Sequence, residues 1–420
     1  MVDKKDFVNE YINSLFIYGT GITGRALYET LKKDNIIAKG FIVSDEKHKD
    51  SIQYPVYTLH TWKSLFYKSN YLIIVAVSLP YQKDIFQLLK ENNITNWIVV
   101  HEEDIIPKPV TVLDTTLCDD NLGNQIIMES IYEVLKDIYK KEFLYRIQYR
   151  DTLGKHALNC AKESKYVFMG GTNILRNDME NEVTWGINEE NSKILKNKLI
   201  LMGVGWWQYQ ISRINNYTYN LLHYVLNNQM IHSVRDGYTL NQLKKIGIEN
   251  VLNTGCPSIW KLDENFCKKI PQNKADEVLL MLTPNNRKRD EYILDILKQN
   301  YRKIYCWIQS AYDYKYAISL GITKNIIPPR LEALESFLQK NMNVEYVGTR
   351  LHGGIKCLQH KKRAIIIGID NRAKEMGKDF LLPVLDEQDL TLLENKINQP
   401  LPIMLKLPRD KIKMWVQQFE

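Results

Sequence analysis

The chain repeats one local pattern, in which a short apolar run ends at a glycine or polar turn and a stretch with helical spacing follows. The clearest copy joins the run 15–18 to the helical stretch 25–33 through a G-x-G-x-x-G motif formed by Gly19, Gly21 and Gly24. Consecutive parallel strands need a crossover connection, which is usually a helix. Repeated crossovers build a parallel sheet covered by helices. The sequence therefore predicts the α/β fold class.

The segment 1–106 predicts a small Rossmann-like domain. After the glycine motif, a strand at 38–43 leads to Asp45, about 20 residues beyond the glycines, as in dinucleotide-binding folds. Strands at 71–77 and 97–100 complete the unit, which holds only one mononucleotide half, and this argues against a full NAD site. The segment resembles the amino-terminal domain of PglD-like sugar acetyltransferases. That resemblance implies a nucleotide or nucleotide-sugar bound by the three glycines and Asp45. A purely structural or docking role stays open, because the same glycines also let a helix pack on a strand.

Two proline residues, Pro107 and Pro109, predict a linker to the rest of the chain. Apolar runs that end in glycine or polar turns then continue through two regions, which we assign to 110–265 and 275–390. The last segment, 391–420, has the spacing of amphipathic helices interrupted by prolines. This organisation predicts a GT-B-like pair of Rossmann-type domains with a helical tail, preceded by the additional small domain.

A basic turn in the last α/β region is the first candidate functional site. The run 344–347 leads into Arg350, His352, Gly353 and Gly354. Ligands of open α/β sheets bind where strands end, and free N–H groups at helix starts favour anions. We expect the two glycines to turn the backbone sharply and to let a ligand approach. The motif predicts an anion site beside a titratable histidine.

A second basic turn follows the run 230–234, which ends at Arg235 and Asp236. Asp236 is a suitable N-cap for the next helical stretch. Arg235 is expected to point at the same sheet edge as the glycine loops of the preceding strands. The two basic turns could therefore provide the two sides of one site.

Several landmarks recur in order along the chain: N-L-G-N at 121–124, G-G-T at 170–172, G-V-G at 203–205, S-V-R-D at 233–236, R-L-H-G at 350–353 and D-N-R at 370–372. In this order and spacing they resemble the polysaccharide pyruvyl transferase family. The sequence departs from the family pattern at Asn124, where an acidic residue is common, and in its reduced glycine triplet. In that family, phosphoenolpyruvate donates a pyruvyl group to a sugar diol of a cell-surface polysaccharide. A cyclic ketal forms and phosphate is released, in general without a metal or an organic cofactor.

The resemblance implies a donor site made of Arg235, Arg350 and His352. It also implies substrate contacts at Asn121, Gly171, Thr172, Asn173, Gly205, Asp236, Asp370, Asn371 and Arg372. Guanidinium groups match the carboxylate and phosphate of phosphoenolpyruvate in a bidentate way. A histidine can deliver a proton near neutral pH.

Other roles at this site have alternatives. Asp236 and Asp370 could each act as the base for the acceptor hydroxyls, or could cap a helix or shape a turn. Arg372 could face the phosphate or form a surface ion pair. A GT-B glycosyltransferase with a nucleotide-sugar donor would use the same edge, and a non-catalytic scaffold of surface-glycan assembly is a third interpretation.

Composition limits the partners. Hydrophobic residues make up 45% and charged residues 25%, and the net charge of +7 is spread along the chain, which does not argue for nucleic acid. The six cysteines form no C-x-x-C pair, so we expect a reducing compartment and no metal site. The amino terminus has no apolar signal core, which predicts a cytoplasmic protein. Peripheral contact with the inner face of the cytoplasmic membrane, a lipid-linked acceptor and a homo-oligomer are all compatible with the sequence.

Overall fold

The structure is a computed structural model, and it describes residues 14–48 and 52–419, with the side chain of Glu103 excepted. The chain forms two compact units, Met1–Lys108 and Pro109–Glu420. Both units are built on parallel sheets with helices, so the predicted α/β fold class is confirmed.

The first unit contains one five-stranded parallel sheet. Its strands are β1 (Leu15–Tyr18), β2 (Gly40–Val43), β3 (Val56–Thr58), β4 (Leu72–Val75) and β5 (Trp97–Val99). Its helices are α1 (Ile22–Lys33), α2 (Leu59–Phe66), α3 (Leu79–Glu91) and α4 (Glu102–Ile105), with a 3-10 turn at Glu46–His48. The strand order is β3–β2–β1–β4–β5, so the direction of winding reverses between β1 and β4. The sequence patterns missed β3, because three residues are too few to show a period, and they also missed the eight-residue helix α2.

Two glycines of the G-x-G-x-x-G motif are needed for reasons of backbone geometry. Gly19 has a φ of +112°, a backbone conformation that residues other than glycine rarely adopt. A Cβ atom at Gly24 would overlap the carbonyl oxygen of Gly19. The motif thus joins β1 tightly to α1.

The second unit begins with a four-stranded parallel sheet in the order β10–β8–β6–β7 and two short pairs, β9 with β11 and β12 with β13. These strands are β6 (Val110–Asp114), β7 (Leu144–Gln148), β8 (Val167–Gly170), β9 (Asn173–Leu175), β10 (Leu199–Met202), β11 (Gly205–Trp206), β12 (His232–Val234) and β13 (Val251–Asn253). The helices are α5 (Leu122–Ile138), α6 (Lys155–Glu163), α7 (Glu189–Leu195), α8 (Asn216–Val225), α9 (Gly237–Lys245) and α10 (Glu264–Cys267), with a 3-10 turn at Pro257–Ile259.

A six-stranded parallel sheet in the order β16–β15–β14–β17–β18–β19 follows. Its strands are β14 (Glu277–Met281), β15 (Lys303–Trp307), β16 (Ile326–Ile327), β17 (Val344–Gly348), β18 (Ala364–Gly368) and β19 (Val384–Asp386). The helices are α11 (Arg287–Asn300), α12 (Ala311–Ser319), α13 (Leu331–Lys340), α14 (Leu351–Gln359) and α15 (Asn371–Phe380). The tail contains a 3-10 segment at Glu387–Leu392 and the helices α16 (Leu393–Asn398) and α17 (Arg409–Gln417).

One hydrophobic core joins the two sheets of the second unit. It includes Phe168 and Met202 from the first sheet, Met281 and Tyr346 from the second, and Trp415 from the tail, all fully buried. The sheets therefore pack as parts of one body, with residues after their strand ends able to meet. The GT-B type of pairing stays a prediction.

Candidate functional site

The turn after β12 holds a buried arginine with an unused donor. Nε and Nη2 of Arg235 donate to one carboxylate oxygen of Asp236 at 3.2 and 3.0 Å. The other oxygen of Asp236 caps α9 by accepting from the backbone N–H of Thr239 at 2.8 Å. Nη1 of Arg235 is buried and has no partner among the described residues. A buried donor without a partner costs about 1–3 kcal/mol, which an anionic ligand would offset.

Gly205 lies directly against this guanidinium, and a Cβ atom there would overlap it. Gly205 also forms a hydrogen bond with the glycine loop that follows β8, because its N–H donates to the carbonyl oxygen of Thr172 at 2.9 Å. Gly171 and Thr172 have φ values of +54° and +62°, so this loop holds a left-handed turn that Thr172 adopts at some cost. Asn173 pairs in register with Gly205, and both polar atoms of its amide group are buried without a described partner. The loop therefore presents unsatisfied polar groups beside Arg235.

The amino end of α5 supports the same loop. Asn121 caps this helix, accepting from the N–H of Gly123 at 3.0 Å. The hydroxyl of Thr172 donates to the amide oxygen of Asn124 at 3.3 Å. Asn121 thus has a structural role here, and Asn124 holds the glycine loop.

Helix α14 places His352 in its first turn, two residues after the N-cap residue Arg350. The expectation that Gly353 and Gly354 turn the backbone sharply is wrong, because both lie inside α14 and neither has a positive φ. Cβ atoms at these positions would overlap Met281 and crowd Ile366 of the sheet. The glycines instead let the helix approach the sheet closely, which fixes the position of His352.

His352 is almost completely buried between charged groups. Burial, followed by the positive charges of Arg372 and Arg235, lowers its pKa to about 3, against a smaller opposing effect of Asp370. Nε2 of His352 lies 3.7 Å from the thiol sulfur of Cys256. The imidazole is therefore neutral at neutral pH when no ligand is bound.

The turn after β18 supplies the other charges around His352. Asp370 caps α15 and accepts from Nε of Arg372 at 2.9 Å and also from its Nη2. Burial would raise the pKa of Asp370, but the charge and hydrogen bonds of Arg372 outweigh it and the pKa falls below its usual value. The amide nitrogen of Asn371 donates to the carbonyl oxygen of Trp206 at 3.1 Å, while its oxygen is buried without a described partner.

Arg350 has a different environment. Its Nε donates to the carbonyl oxygen of Leu282 at 3.2 Å, and its Nη2 pairs with Asp313 of α12. In the described part of the chain, no hydrogen bond or ion pair connects Arg350 to His352. The structure thus groups five predicted residues closely, namely Arg235, His352, Asp370, Asn371 and Arg372, and places Arg350 beside Asp313 instead.

Two residues at the site were not predicted. Cys256 is buried beside His352 in the turn after β13, and burial raises the pKa of its thiol. The strand-end rule that selected Arg235 would have found it. Asp313 had no local signal, because 37 residues separate it from Arg350.

Exposed aromatic side chains lie next to the cluster. Trp207 follows β11 and carries the guanidinium of Arg176 at 4.5 Å from a ring centroid. The hydroxyl of Tyr209 donates to Glu375 of α15 at 2.8 Å. Trp207 is 39% exposed and Tyr209 51% exposed. Trp207 and Tyr209 thus form an exposed rim of the site, in which flat apolar ring faces lie next to the charged side chains of Arg176 and Glu375.

In the first unit, Gly19 and Gly21 line a cavity, whereas Gly24 and Asp45 are not among its lining residues. One oxygen of Asp45 accepts from the N–H of Lys47 at 2.9 Å. The described residues contain neither a metal-binding group of three His, Cys, Asp or Glu side chains nor a helix long and apolar enough to cross a membrane.

Fold and site together define an α/β protein in which a neutral histidine lies among arginines at the ends of parallel strands. A family model described as polysaccharide pyruvyl transferase matches residues 121–371, more than half of the 420 residues. The chain therefore belongs to the polysaccharide pyruvyl transferase family, as its motifs predicted. A comparison with curated proteins finds no match. Family membership indicates a transferase with a polysaccharide acceptor.

Proposed function

We propose that the chain transfers the pyruvyl group of phosphoenolpyruvate to two hydroxyls of a sugar in a bacterial cell-surface polysaccharide, with release of phosphate. The observation that carries the proposal is the set of buried polar atoms without described partners at the strand ends near Arg235 and His352. They belong to Arg235, Asn173 and Asn371. Buried polar groups are normally hydrogen-bonded, so this concentration supports a polar ligand at the site.

Arg235 and Arg372 hold the donor in this proposal. The charges of both affect His352. Arg235 is fixed by Asp236, and Arg372 is fixed by Asp370. Phosphoenolpyruvate carries a carboxylate and a phosphate, and guanidinium groups bind both in a bidentate way. The two aspartates orient the arginines and leave donors free. Arg350 is paired with Asp313 and contributes less to donor binding in this proposal.

Binding of the donor prepares His352 to act as an acid. A neutral imidazole with a pKa of about 3 cannot donate a proton at neutral pH. One negative charge at about 4 Å in an effective dielectric of about 20 is worth about 4 kcal/mol, or about 3 pKa units. The multiply charged donor would therefore raise the pKa of His352 well above its value in the free protein. Donor binding thus increases the protonated fraction of His352, and the protonated form acts as the acid.

The reaction then balances without a redox partner. The proton of His352 forms a C–H bond at the methylene carbon of phosphoenolpyruvate, and the adjacent carbon becomes electrophilic. One acceptor hydroxyl attacks that carbon, the C–O bond to phosphate breaks, and the second hydroxyl closes the ketal. One of the two hydroxyl protons replaces the proton that His352 donated, and the other leaves with phosphate.

The exposed rim is the proposed acceptor side. Trp207 and Tyr209 follow Gly205, which contacts the Arg235 guanidinium. Aromatic side chains combine an apolar face with a polar edge, which suits a sugar ring that must stay partly wet. Glu375 and Arg176 provide charged partners for hydroxyls at this rim.

The test is to incubate the full chain with phosphoenolpyruvate and glycans that carry galactose, mannose or N-acetylmannosamine. We expect acceptor-dependent release of inorganic phosphate and a product heavier by one pyruvate minus one water. Release of nucleoside diphosphate from a nucleotide-sugar, with no reaction of phosphoenolpyruvate, would instead identify a glycosyltransferase and overturn the proposal.

A further inference from the structure

We propose that Cys256 positions His352 with Nε2 of the imidazole donating to the thiol sulfur, so that Nδ1 is the nitrogen that delivers the proton. This role belongs to the pyruvyl transfer proposed above, on which it rests. Cys256 is a buried nucleophilic group at the site that the reaction does not otherwise use. The surroundings of the ring, of the thiol and of the turn that carries it all support this role.

The two ring nitrogens of His352 have different surroundings. Nε2 lies 3.7 Å from Sγ of Cys256. Nδ1 forms no hydrogen bond with a described residue, and it is not among the buried polar atoms that lack a partner. Nδ1 therefore keeps some contact with accessible space, and a ligand can reach the ring at this nitrogen.

A ligand beside the ring is indicated independently by Arg235, which is 1% exposed. Its Nη1 is buried without a described partner. The positive charge of Arg235 lowers the pKa of His352 after the larger effects of burial and Arg372, which places the guanidinium close to the imidazole. An anion bound by Arg235 would therefore lie near the ring.

The thiol of Cys256 is a neutral and weak acceptor. Its sulfur is buried and accepts from the hydroxyl of Ser258 at 3.0 Å. Burial raises the pKa of the thiol, against smaller opposing effects of Ser258 and Arg235, so the thiol stays protonated at neutral pH. Sulfur accepts hydrogen bonds weakly. It can therefore orient the N–H of Nε2 without adding a negative charge that would keep the free imidazole protonated.

The turn that carries the thiol is attached to the helix that carries the histidine. Cys256 precedes the 3-10 turn Pro257–Ile259, and the carbonyl oxygen of Ser258 accepts from the amide nitrogen of Gln359 at 2.7 Å. Gln359 is the last residue of α14, and His352 lies in the first turn of the same helix. Contacts near both ends of α14 thus limit the movement of the ring relative to the sulfur.

The direction of the contact between Nε2 and the sulfur decides which nitrogen is active, because the hydrogen bond at one ring nitrogen sets the state of the other. If the thiol donated to Nε2, the ring proton would be on Nδ1, and an additional proton would have to enter at the buried Nε2. If Nε2 donates to the sulfur, Nδ1 has a free lone pair on its accessible side. Nδ1 then takes up a proton from solvent when the donor binds and transfers it to the methylene carbon, while Nε2 keeps its own proton.

Nuclear magnetic resonance of the full chain, with a nitrogen isotope in its histidine rings, tests this arrangement without turnover. The signals of His352 are those that disappear in His352→Asn, and the chemical shifts of the ring nitrogens distinguish the two tautomers. We expect the proton on Nε2 in the wild type at neutral pH. Cys256→Ala should populate both tautomers, whereas Cys357→Ala should not. Cys357 is the matched control, because it is also buried and lies on α14.

Acceptor-dependent phosphate release measures the consequence for the reaction. Cys256→Ala should lower kcat by about tenfold, the effect of one lost hydrogen bond of ordinary strength. The KM for phosphoenolpyruvate should stay nearly unchanged, because the arginines are intact. Cys256→Ser keeps an acceptor at this position and should recover most of the lost turnover, which a change of packing alone would not explain.

Two results would overturn the proposal. One is a wild-type His352 that carries its proton on Nδ1. The other is a folded Cys256→Ala variant whose tautomer and kcat equal those of Cys357→Ala. A wild-type chain that shows the Nε2 tautomer but transfers no pyruvyl group would contradict the proposed function and would still support the contact between Cys256 and His352, so the two failures are distinguishable.

Discussion

The turns after β12 and β17 each carry an arginine, but the two side chains have different surroundings. Arg235 is 1% exposed and keeps one buried nitrogen without a described partner. Arg350 has a side chain that is 17% exposed and is bound by Asp313 and a backbone carbonyl. Bulk solvent can satisfy the remaining donors of Arg350, whereas the unpaired nitrogen of Arg235 is buried away from bulk solvent. Although both arginines follow a strand, we therefore expect Arg235 to contribute more than Arg350 to the binding of an anion.

The largest expected effect is a loss of turnover when His352 is replaced. His352→Asn should lower turnover by about 10²–10⁴-fold, the usual worth of a positioned acid. Acceptor-dependent phosphate release measures it. His360→Asn is the control, because His360 ends the same helix, outside the cluster. Turnover of His352→Asn near that of the wild type would exclude the acid role.

Arg235→Lys tests the buried side of the comparison. Lysine keeps the positive charge but lacks the planar guanidinium group that donates two parallel hydrogen bonds to an anion. Hydrogen bonds to charged groups contribute about 1.5–3 kcal/mol. The KM for phosphoenolpyruvate should therefore rise by about 10–100-fold. Initial rates at saturating acceptor measure this value, and circular dichroism checks that the variant is folded. An unchanged KM would remove Arg235 from the donor site.

Arg350→Lys is the matched change on the more exposed side. Because solvent and Asp313 already satisfy much of this guanidinium, the KM should rise by less than about tenfold. The same kinetic assay applies. If Arg350→Lys raised the KM as much as Arg235→Lys does, the proposed difference between the two turns would be wrong, and Arg350 would have to leave Asp313 to bind the donor.

The smallest expected effect is the uptake of a fraction of a proton when the donor binds. Burial and the charges of Arg372 and Arg235 lower the pKa of His352 to about 3 in the free protein, and the negative charge of the bound donor should raise it. At pH 6 the free imidazole is neutral and the imidazole in the donor complex is partly protonated, so binding should take up a fraction of a proton. Calorimetry in buffers of different ionisation enthalpy measures this uptake, and His352→Asn should lack it. Equal uptake by both proteins would show that the proton goes elsewhere.

Local patterns predicted much of the fold and the position of the site. The runs before Gly19, Arg235 and Arg350 are strands in the structure, because apolar runs bounded by glycine or charged residues are a local signal. Short elements such as β3 were missed, since their stability comes from the neighbouring strand rather than from their own period. The family was also predictable, because its motifs are short and ordered along the chain.

The sequence alone thus determined the α/β class, the family and the strand ends at which charged residues gather. Only the tertiary structure decided that Arg372 rather than Arg350 lies close enough to His352 to lower its pKa. It also showed that Cys256 lies beside that histidine and that Gly353 and Gly354 serve close packing. The physical reason is the distance along the chain over which each interaction acts. Periodicity and capping act over a few residues, whereas burial and charge act through space between residues far apart in the chain.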